Sequence, residues 1–538
     1  MPFSSGSSVS PPTADRASRL LWSRLLVAAC VVWAFVSFIS SGNLDSYDDM
    51  LENYAWSSPW LLGTHKHPPF FAWVVGVWFT VFPNTDWAYR LLSYTNVAVG
   101  LAGVVFLGKR LGLGALAYWG ALLLLWTFPY TSLAGKFNAN SQLLSLWPWA
   151  AGLMLASWQA RGAAAWVWTV LLGLVAAACM LSKYYSGVFL AGFLLPVLLH
   201  PQGRQWMCTP RPYVALLVFA LAVLPHVAWM ASHDWAPVGY AMSQGEGGVV
   251  WRYVVRFALA PWFYWLPAWL ALCMVLARVQ ARRTGRSAWR AWGRAMVDIW
   301  RPQGRSDVLF WLAVAPWALT LLCGVLGVAE LSTPWAIPIG YAFALLWLRN
   351  VQAADPQALA TVLGKLSRAW WPVVGAVVVL GAVATVLSAS KGDKGYYRPT
   401  PEAARAIVSS WQQRHPEAQL QWVGGDWAEN AMVKFYALPQ VHTVPDMPDS
   451  AAAHLAGLSH WRGQHGLLLC PLGQAAKRGG TPNGCQNDAQ QWLAQQGLPA
   501  QPYVLQIARQ GWRFPKPQAF AYAVYDVPPT ARMAVGAE

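Results

Sequence analysis

Charge is scarce in this chain. Of its 538 residues only 11% are charged and 56% are hydrophobic, whereas a soluble chain of this size carries about 25% charge. Low charge alone would suit one very large core. Here the apolar residues come in repeated runs of about 20, the length of a helix that crosses a bilayer. Acidic residues are the rarer sign, 22 against 38 Lys and Arg, for a net charge of +16. Nucleic-acid binding is one reading of a basic chain. The positive residues gather instead in short loops between apolar runs, the bias of cytoplasmic loops in a membrane protein, so no nucleic-acid partner is expected. Cysteine is sparse, with seven residues. Cys30, Cys179, Cys208, Cys273 and Cys323 lie in or beside apolar segments without ligand spacing and read as small buried hydrophobes. Cys470 and Cys485 lie in a polar C-terminal region, where a disulfide is expected if that region is outside the cytoplasm. Tryptophan is abundant, at 36 residues, and such amphipathic rings favour the membrane–water boundary.

Charge tracked from loop to loop predicts the topology. Residues 1–19 read as a Ser/Pro-rich, disordered cytoplasmic tail. The run Leu20–Ile39 lacks a clear cleavage site and reads as the first span rather than a signal peptide, with Arg16, Arg19 and Arg24 holding its start inside. Residues 42–88 then lie outside. Pro69–Phe82 is short for a span and reads as an interfacial helix, because Leu91–Leu107 suffices to reach Lys109-Arg110 on the inside. Further crossings are expected at 115–128, 143–158, 163–199 (a pair broken at 182–187), 214–230, 259–276, 308–325, 335–348 and 373–387. The loop with Arg278, Arg282, Arg283, Arg286, Arg290, Arg294, Arg301 and Arg305 is the most basic. It fits an inner-side topology signal better than anionic-lipid recognition. The fold expected is a polytopic α-helical membrane protein of about eleven or more spans. Residues 20–390 form the membrane domain and 391–538 a soluble outer α/β domain. In the latter a helix over Pro401–His415 and strands over 419–423, 466–470 and 503–508 are predicted, with Gly424-Gly425-Asp426 as a turn. Asp426 and His460 read as solvated loop residues rather than ligands.

The chemistry gathers on the outer side. Residues 45–57 carry Asp45, Asp48, Asp49 and Glu52 among Tyr47, Tyr54 and Trp56, and Lys66-His67-Pro68-Pro69 follow. A solvated acidic loop is the plain reading. The interleaved aromatics argue that the loop packs on the membrane domain, where burial can tune a carboxylate for base chemistry. Lys66, Arg90, Lys136, Lys183, Arg252 and Arg256 lie near outer helix ends, against the usual charge bias. They read equally as a lipid-phosphate site or as snorkelling side chains. Lys136-Phe137-Asn138-Ala139-Asn140-Ser141 opens a helix, with N-capping by Asn140 or Ser141 its plain explanation.

These residues resemble a family. Asp49, then Trp56-Ser57, then His67-Pro68-Pro69, later Ser182-Lys183-Tyr184, Pro225-His226 to Trp229 and His233-Asp234-Trp235, are similar in order to motifs of bacterial GT-C membrane glycosyltransferases of family 39. These are relatives of protein O-mannosyltransferases and of the lipid A aminoarabinose transferase. The resemblance covers about residues 20–390. It implies transfer of a hexosyl or pentosyl group from a polyprenyl-phosphate sugar donor to a glycolipid, glycan or protein acceptor, at the outer face of the cell inner membrane and with inversion. Asp49 would be the base. Met50 stands where the family usually has Glu, and Asp48 precedes, so Asp48 is the alternative base. Asn140 stands where the family often has Asp. Lys66, Lys183 and Arg252 would stabilise the phosphate, and His67, Lys136, Asn140 and Tyr184 complete the expected site. No cofactor is required; a divalent cation near His67 is left open, and no metal ligand is assigned. The competing reading is a lipid or solute transporter or flippase; a non-catalytic scaffold is a third. Transporters place charges near the midplane and show repeated halves, and neither feature is found.

Overall fold

The computed structural model describes residues 12–529 except 59, 244–247, 286, 393, 451–460, 475–483 and 512. His460 and Arg286 lie outside the described residues. The N-terminal part is helical: α1 Pro12–Ser40, α2 Asp49–Ser57, α3 Phe70–Phe79, α4 Asp86–Arg110, α5 Leu116–Leu124, α6 Ala139–Gln159, α7 Gly162–Ser182, α8 Ser186–Gly192, α9 Leu194–Leu199, α10 Pro201–Met207, α11 Arg211–Ala231 and α12 Ala236–Ser243. There follow α13 Trp251–Tyr264, α14 Leu266–Thr284, α15 Ala288–Asp298, α16 Val308–Val325, α17 Phe343–Ala354 and α18 Pro356–Lys391.

Six of the described helices are long and apolar enough to cross a membrane alone: α1, α4, α7, α11, α16 and α18. Two bent pairs bring the total to eight. Residues 186–199 turn by 107° into α10, and α13 turns by 67° into α14. Proline makes both bends, since it lacks the donor a continuing helix needs: Pro201 opens α10 behind the cap of His200, and Pro267 opens α14. Three of the eleven expected crossings are not among these helices. The run 115–128 is nine helical residues ending in 3₁₀ turns, α6 is dense in Asn, Ser and Gln at its start, and 335–348 is two 3₁₀ turns leading into α17. All three are largely buried within the protein. Pro69–Phe82, expected as an interfacial helix, is the short α3.

The chain is a multi-pass membrane protein. Leu216, Leu217, Leu221 and Leu224 of α11 and Val379, Leu380, Val383 and Val386 of α18 are exposed on faces too apolar for water. Inside the bundle, α4 lies so close to α6 that a Cβ on Gly100 would strike the Leu144 carbonyl, the small-residue contact by which membrane helices approach. Between them Asn96 donates to the Ser141 carbonyl at 2.7 Å and accepts from Gln142 at 3.1 Å.

The C-terminal residues form a five-stranded sheet with helices. After α19 Lys394–Tyr397 and α20 Thr400–Arg414 come β1 Trp422–Gly425, α21 Trp427–Tyr436, β2 His442–Thr443, β3 Gly466–Gln474, α22 Gly484–Gln495, β4 Tyr503–Ala508 and β5 Ala519–Val527. The strand order is β2-β1-β3-β5-β4. β1 runs parallel to β2 and β3, and β5 antiparallel to β3 and β4. Gly424 and Gly425, expected as a turn, close β1, and Asp426 then caps α21 through Ala428 N at 3.0 Å. The unit shares its core with the first loop: Met50, Leu51 and Phe71 are buried in one cluster with Trp411, Met432 and Phe435. Phe435 meets Tyr54 and Phe79 edge-on at 5.0 and 5.2 Å.

Cys470 of β3 and Cys485 of α22 form a disulfide with a Cα–Cα separation of 5.7 Å. They are fifteen positions apart in sequence, and closing such a loop stabilises by about 3 kcal/mol in the chain-entropy account. Cys470→Ser should therefore lower the unfolding temperature of the C-terminal unit, read by differential scanning calorimetry of the full chain. Thiol labelling of the oxidised wild type should detect neither cysteine.

Candidate functional site

The first loop is shaped by capping. Asp45 accepts from Tyr47 N at 2.9 Å and Asp49 N at 3.2 Å through Oδ1, and from Met50 N at 2.9 Å through Oδ2. It thereby satisfies donors that the start of α2 leaves open. Asp48 adopts φ 58°, a left-handed conformation that Asp tolerates better than most residues. That turn sends two adjacent carboxylates opposite ways. Asp48 is buried and takes a 2.6 Å bond from Arg398 of the C-terminal unit. Asp49, with 35% of its side chain exposed, receives Lys136 Nζ at 2.8 Å and Asn138 Nδ2 at 3.1 Å. It also begins α2, where the helix dipole favours a carboxylate.

The second half of the site is the start of α6. Asn138 is the cap, accepting from Asn140 N at 3.0 Å and Ser141 N at 3.1 Å, while Ser141 Oγ accepts from Asn138 N at 2.8 Å. The capping expected of Asn140 or Ser141 is thus carried by Asn138, with Ser141 reciprocating as in a capping box. The Asn140 side chain is left to accept from Lys183 Nζ at 2.6 Å. One helix end therefore holds Asp49 through Asn138 and Lys183 through Asn140.

Lys183 borders a cavity of about 650 Å³ lined also by Lys66, His67, Tyr184, Tyr240, Tyr253, Arg256 and Glu330, with Val188, Leu331 and Trp335 as apolar wall. Burial lowers Lys183 to about 8, opposed by Asp49. Burial, aided by Lys183 and Lys66, pushes His67 down to about 3, so its imidazole is neutral near pH 7. Tyr184 donates to His226 Nε2 at 2.7 Å, because His226 Nδ1 lies 2.6 Å from the Leu62 carbonyl and must carry its own proton there. Lys66 lies 2.6 Å from Glu52 and 4.8 Å from the centre of the Trp427 ring. Burial raises Glu52 to about 7 although Lys66 opposes it. These residues also face a second cavity of about 400 Å³ between the first loop and the C-terminal unit, lined by His65, Asp426, Trp427, Asp446 and Asp488.

The structure gathers Asp49, Lys136, Asn140 and Lys183 at one helix end, and Lys66, His67, Lys183 and Tyr184 around one cavity. Arg252 stands apart: it is exposed, donates to Tyr253 Oη at 2.7 Å and does not line the cavity. Arg256, one helical turn on, does. Asn138 was in view only as part of a motif, and its role appears once the α6 cap is known. Arg398 had no local signal at all. Among the described residues no three His, Cys, Asp or Glu side chains form a metal-ligand group.

The fold is shared with ArnT from Cupriavidus metallidurans. Its structure bound to undecaprenyl phosphate superposes with a TM-score of 0.56 at 15% identity, covering 94% of this chain and 98% of that one. The apo structure of the same protein gives a TM-score of 0.56 at 14% identity, with the same coverage. Residues 66–229 match the family model of dolichyl-phosphate-mannose-protein mannosyltransferases. The likeness to GT-C membrane glycosyltransferases read from the motifs thus holds in the fold and in this family match. An oligosaccharyltransferase of Archaeoglobus fulgidus is more distant, with a TM-score of 0.40 at 12% identity, covering 83% of this chain and 69% of that one. No curated protein sequence matches the chain.

Asn138→Ala removes the cap and the amide that holds Asp49. It should cost about 1 kcal/mol of stability, measured by chemical denaturation in detergent. Asn138→Asp keeps a capping oxygen but places a carboxylate against Asp49, and should restore the cap without restoring the contact.

Proposed function

We propose that this protein transfers a sugar from a polyprenyl-phosphate donor to an acceptor hydroxyl at the outer face of the cytoplasmic membrane, with Asp49 as general base. The observation that carries the reading is the single end of α6 that fixes a carboxylate, Asp49, beside a cation, Lys183, at the edge of a large cavity. In the reaction the acceptor oxygen attacks the anomeric carbon from the face opposite the phosphate. The new C–O bond forms as the C–O bond to phosphate breaks, so the anomeric configuration inverts. The polyprenyl phosphate leaves with the electron pair, and the acceptor proton passes to Asp49. Lys183 and Arg256, with Lys66 behind them, oppose the charge that grows on the phosphate, as preorganised cations do. The apolar wall of the cavity suits the first units of the lipid.

Two features support the outward orientation. The Cys470–Cys485 disulfide fits an oxidising compartment. At the opposite end of the bundle from α2, Arg110, Arg349 and the chain near Gln303 meet around one small cavity, which fits the inner-side charge bias. On this reading the C-terminal unit covers the site from outside, and the groove between it and the first loop admits the acceptor. The sugar is a hexose or pentose, and no cofactor enters the scheme.

Asp49→Asn is expected to lower transfer by about 10²–10⁴-fold, the usual worth of a general base, in purified protein with a polyprenyl-phosphate sugar and mass-spectrometric detection of product. Asp48→Asn should reduce it less. Wild-type transfer by Asp49→Asn removes Asp49 as the base, and wild-type transfer by both variants removes the carboxylate mechanism; transport of the lipid in proteoliposomes without any transfer would put a flippase in its place.

Lys183 also predicts a pH dependence. Its lowered value means that the charged form is present below about 8 and is lost as pH rises through that point. The KM for donor should therefore rise above about pH 8, and Lys183→Gln should abolish that rise while leaving a uniformly high KM.

A further inference from the structure

The segment that leads from α1 to Asp49 is held less by the helical bundle than by the C-terminal unit. Arg513 donates to the carbonyls of Ile39 at 2.9 Å and Ser41 at 3.0 Å, and Arg509 to that of Gly42. Asn43 donates to the Gly395 and Arg398 carbonyls at 2.7 and 3.1 Å. Gly42 is pressed so closely on the Tyr396 carbonyl that no Cβ would fit. The last of these ties is Arg398, which reaches Asp48 with one nitrogen at 2.6 Å and Glu429 of α21 with another at 2.7 Å. Asp48 is the residue in the left-handed conformation, and its carbonyl accepts the first backbone bond of α2, from Glu52 N at 3.0 Å. A change in the Asp48 torsion would rotate the next residue, and the next residue is Asp49.

We propose that Arg398 is a positioning residue for the transfer reaction: by bridging Asp48 to Glu429 it locks the turn before α2 and so fixes the aim of the Asp49 carboxylate. The C-terminal unit is then part of the working site rather than only its cover. This rests on the reading of Asp49 as the base. The two-nitrogen fork is what the role requires, because one arm must hold the turn while the other is anchored to α21. Lysine keeps the charge but offers a point donor in place of the fork.

The test uses the full chain in detergent or nanodiscs. Arg398→Lys should lower kcat by about 10–100-fold, the scale of an ångström-sized misplacement, with KM for donor within about twofold. Hydrogen exchange should rise in residues 42–57 and nowhere else. Asp48→Asn should give the same pattern, and the double variant should lose no more than the worse single one, since both remove one bridge. Wild-type kcat in Arg398→Lys, while Asp49→Asn is inactive, overturns the positioning role and leaves the transferase reading standing. Exchange that rises across the whole C-terminal unit, with kcat and KM changing together, overturns it in favour of a purely structural bridge. Full activity in Asp49→Asn removes the base assignment instead, a result separable from the exchange measurement.

Discussion

A helix leaves its last carbonyls without intrahelical partners, and where protein packs over that end the partners must come from protein. Helix α1 ends in this way at Ser40. Its terminal carbonyls and those of the following residues find arginines: Arg513 at Ile39 and Ser41, Arg509 at Gly42, and Arg90 at Asn43 and Leu44. Arg90 comes from α4 and the other two from beyond β4. The exit of the first helix is therefore where the bundle and the C-terminal unit are joined, and α2 starts only where that junction releases the chain. The shared apolar core of α2, α3 and α21 follows from the same junction, because it brings Phe435 against Tyr54 and Phe79.

Two consequences reach the site. The first is a division of labour between adjacent carboxylates. With α2 started at Asp49, one carboxylate must face the covering unit and the other the start of α6, and each finds a cation: Arg398 for Asp48, Lys136 for Asp49. The second is a boundary. Lys66 lines both the 650 Å³ cavity and the 400 Å³ groove, and its partner Glu52 lines the groove. Burial raises Glu52 to about 7 although Lys66 opposes it, so this pair, too, joins the first loop to the groove with a carboxylate held out of water.

Much of this was legible in the sequence because a bilayer enforces simple patterns. Runs of apolar residues gave α1, α4, α7, α11, α16 and α18, and the brevity of Pro69–Phe82 marked α3 as a helix that does not span. The acidic, aromatic first loop and the cations near helix ends pointed to one region. What stayed hidden depends on contacts distant in sequence. Arg398 lies 350 residues from Asp48 and belongs to no motif. Arg252 and Arg256 are indistinguishable by composition, and only the direction of α13 puts the second of them on the cavity. Nothing in the pattern of Ala519–Val527 marks β5 as a strand, because it is almost continuously apolar rather than alternating; its place comes from pairing with β3, across an irregularity at Pro471–Gly473, and with β4. The helices long and apolar enough to cross alone are fewer than the apolar runs, because a hydropathy run shows only that a segment avoids water. It does not show whether lipid or protein surrounds it.

The Asp48–Arg398–Glu429 bridge is better explained by geometry than by stability. Taking an arginine and two carboxylates out of water costs more than their attraction reliably returns, and apolar replacements of such groups are often neutral or stabilising. Burial does raise both carboxylates despite the arginine between them, the sign of an arrangement that is not at its electrostatic best. Glu429 even keeps one oxygen buried without a hydrogen-bond partner among the described residues. An apolar contact could join the two units at least as firmly, and the neighbouring aromatic cluster already does so. What an apolar contact lacks is direction. A forked guanidinium fixes two oxygens in a plane, and so fixes the turn on which one of them is carried. The Asp48 backbone is held in a conformation that a non-glycine residue visits at a cost, and a directional tie keeps it there.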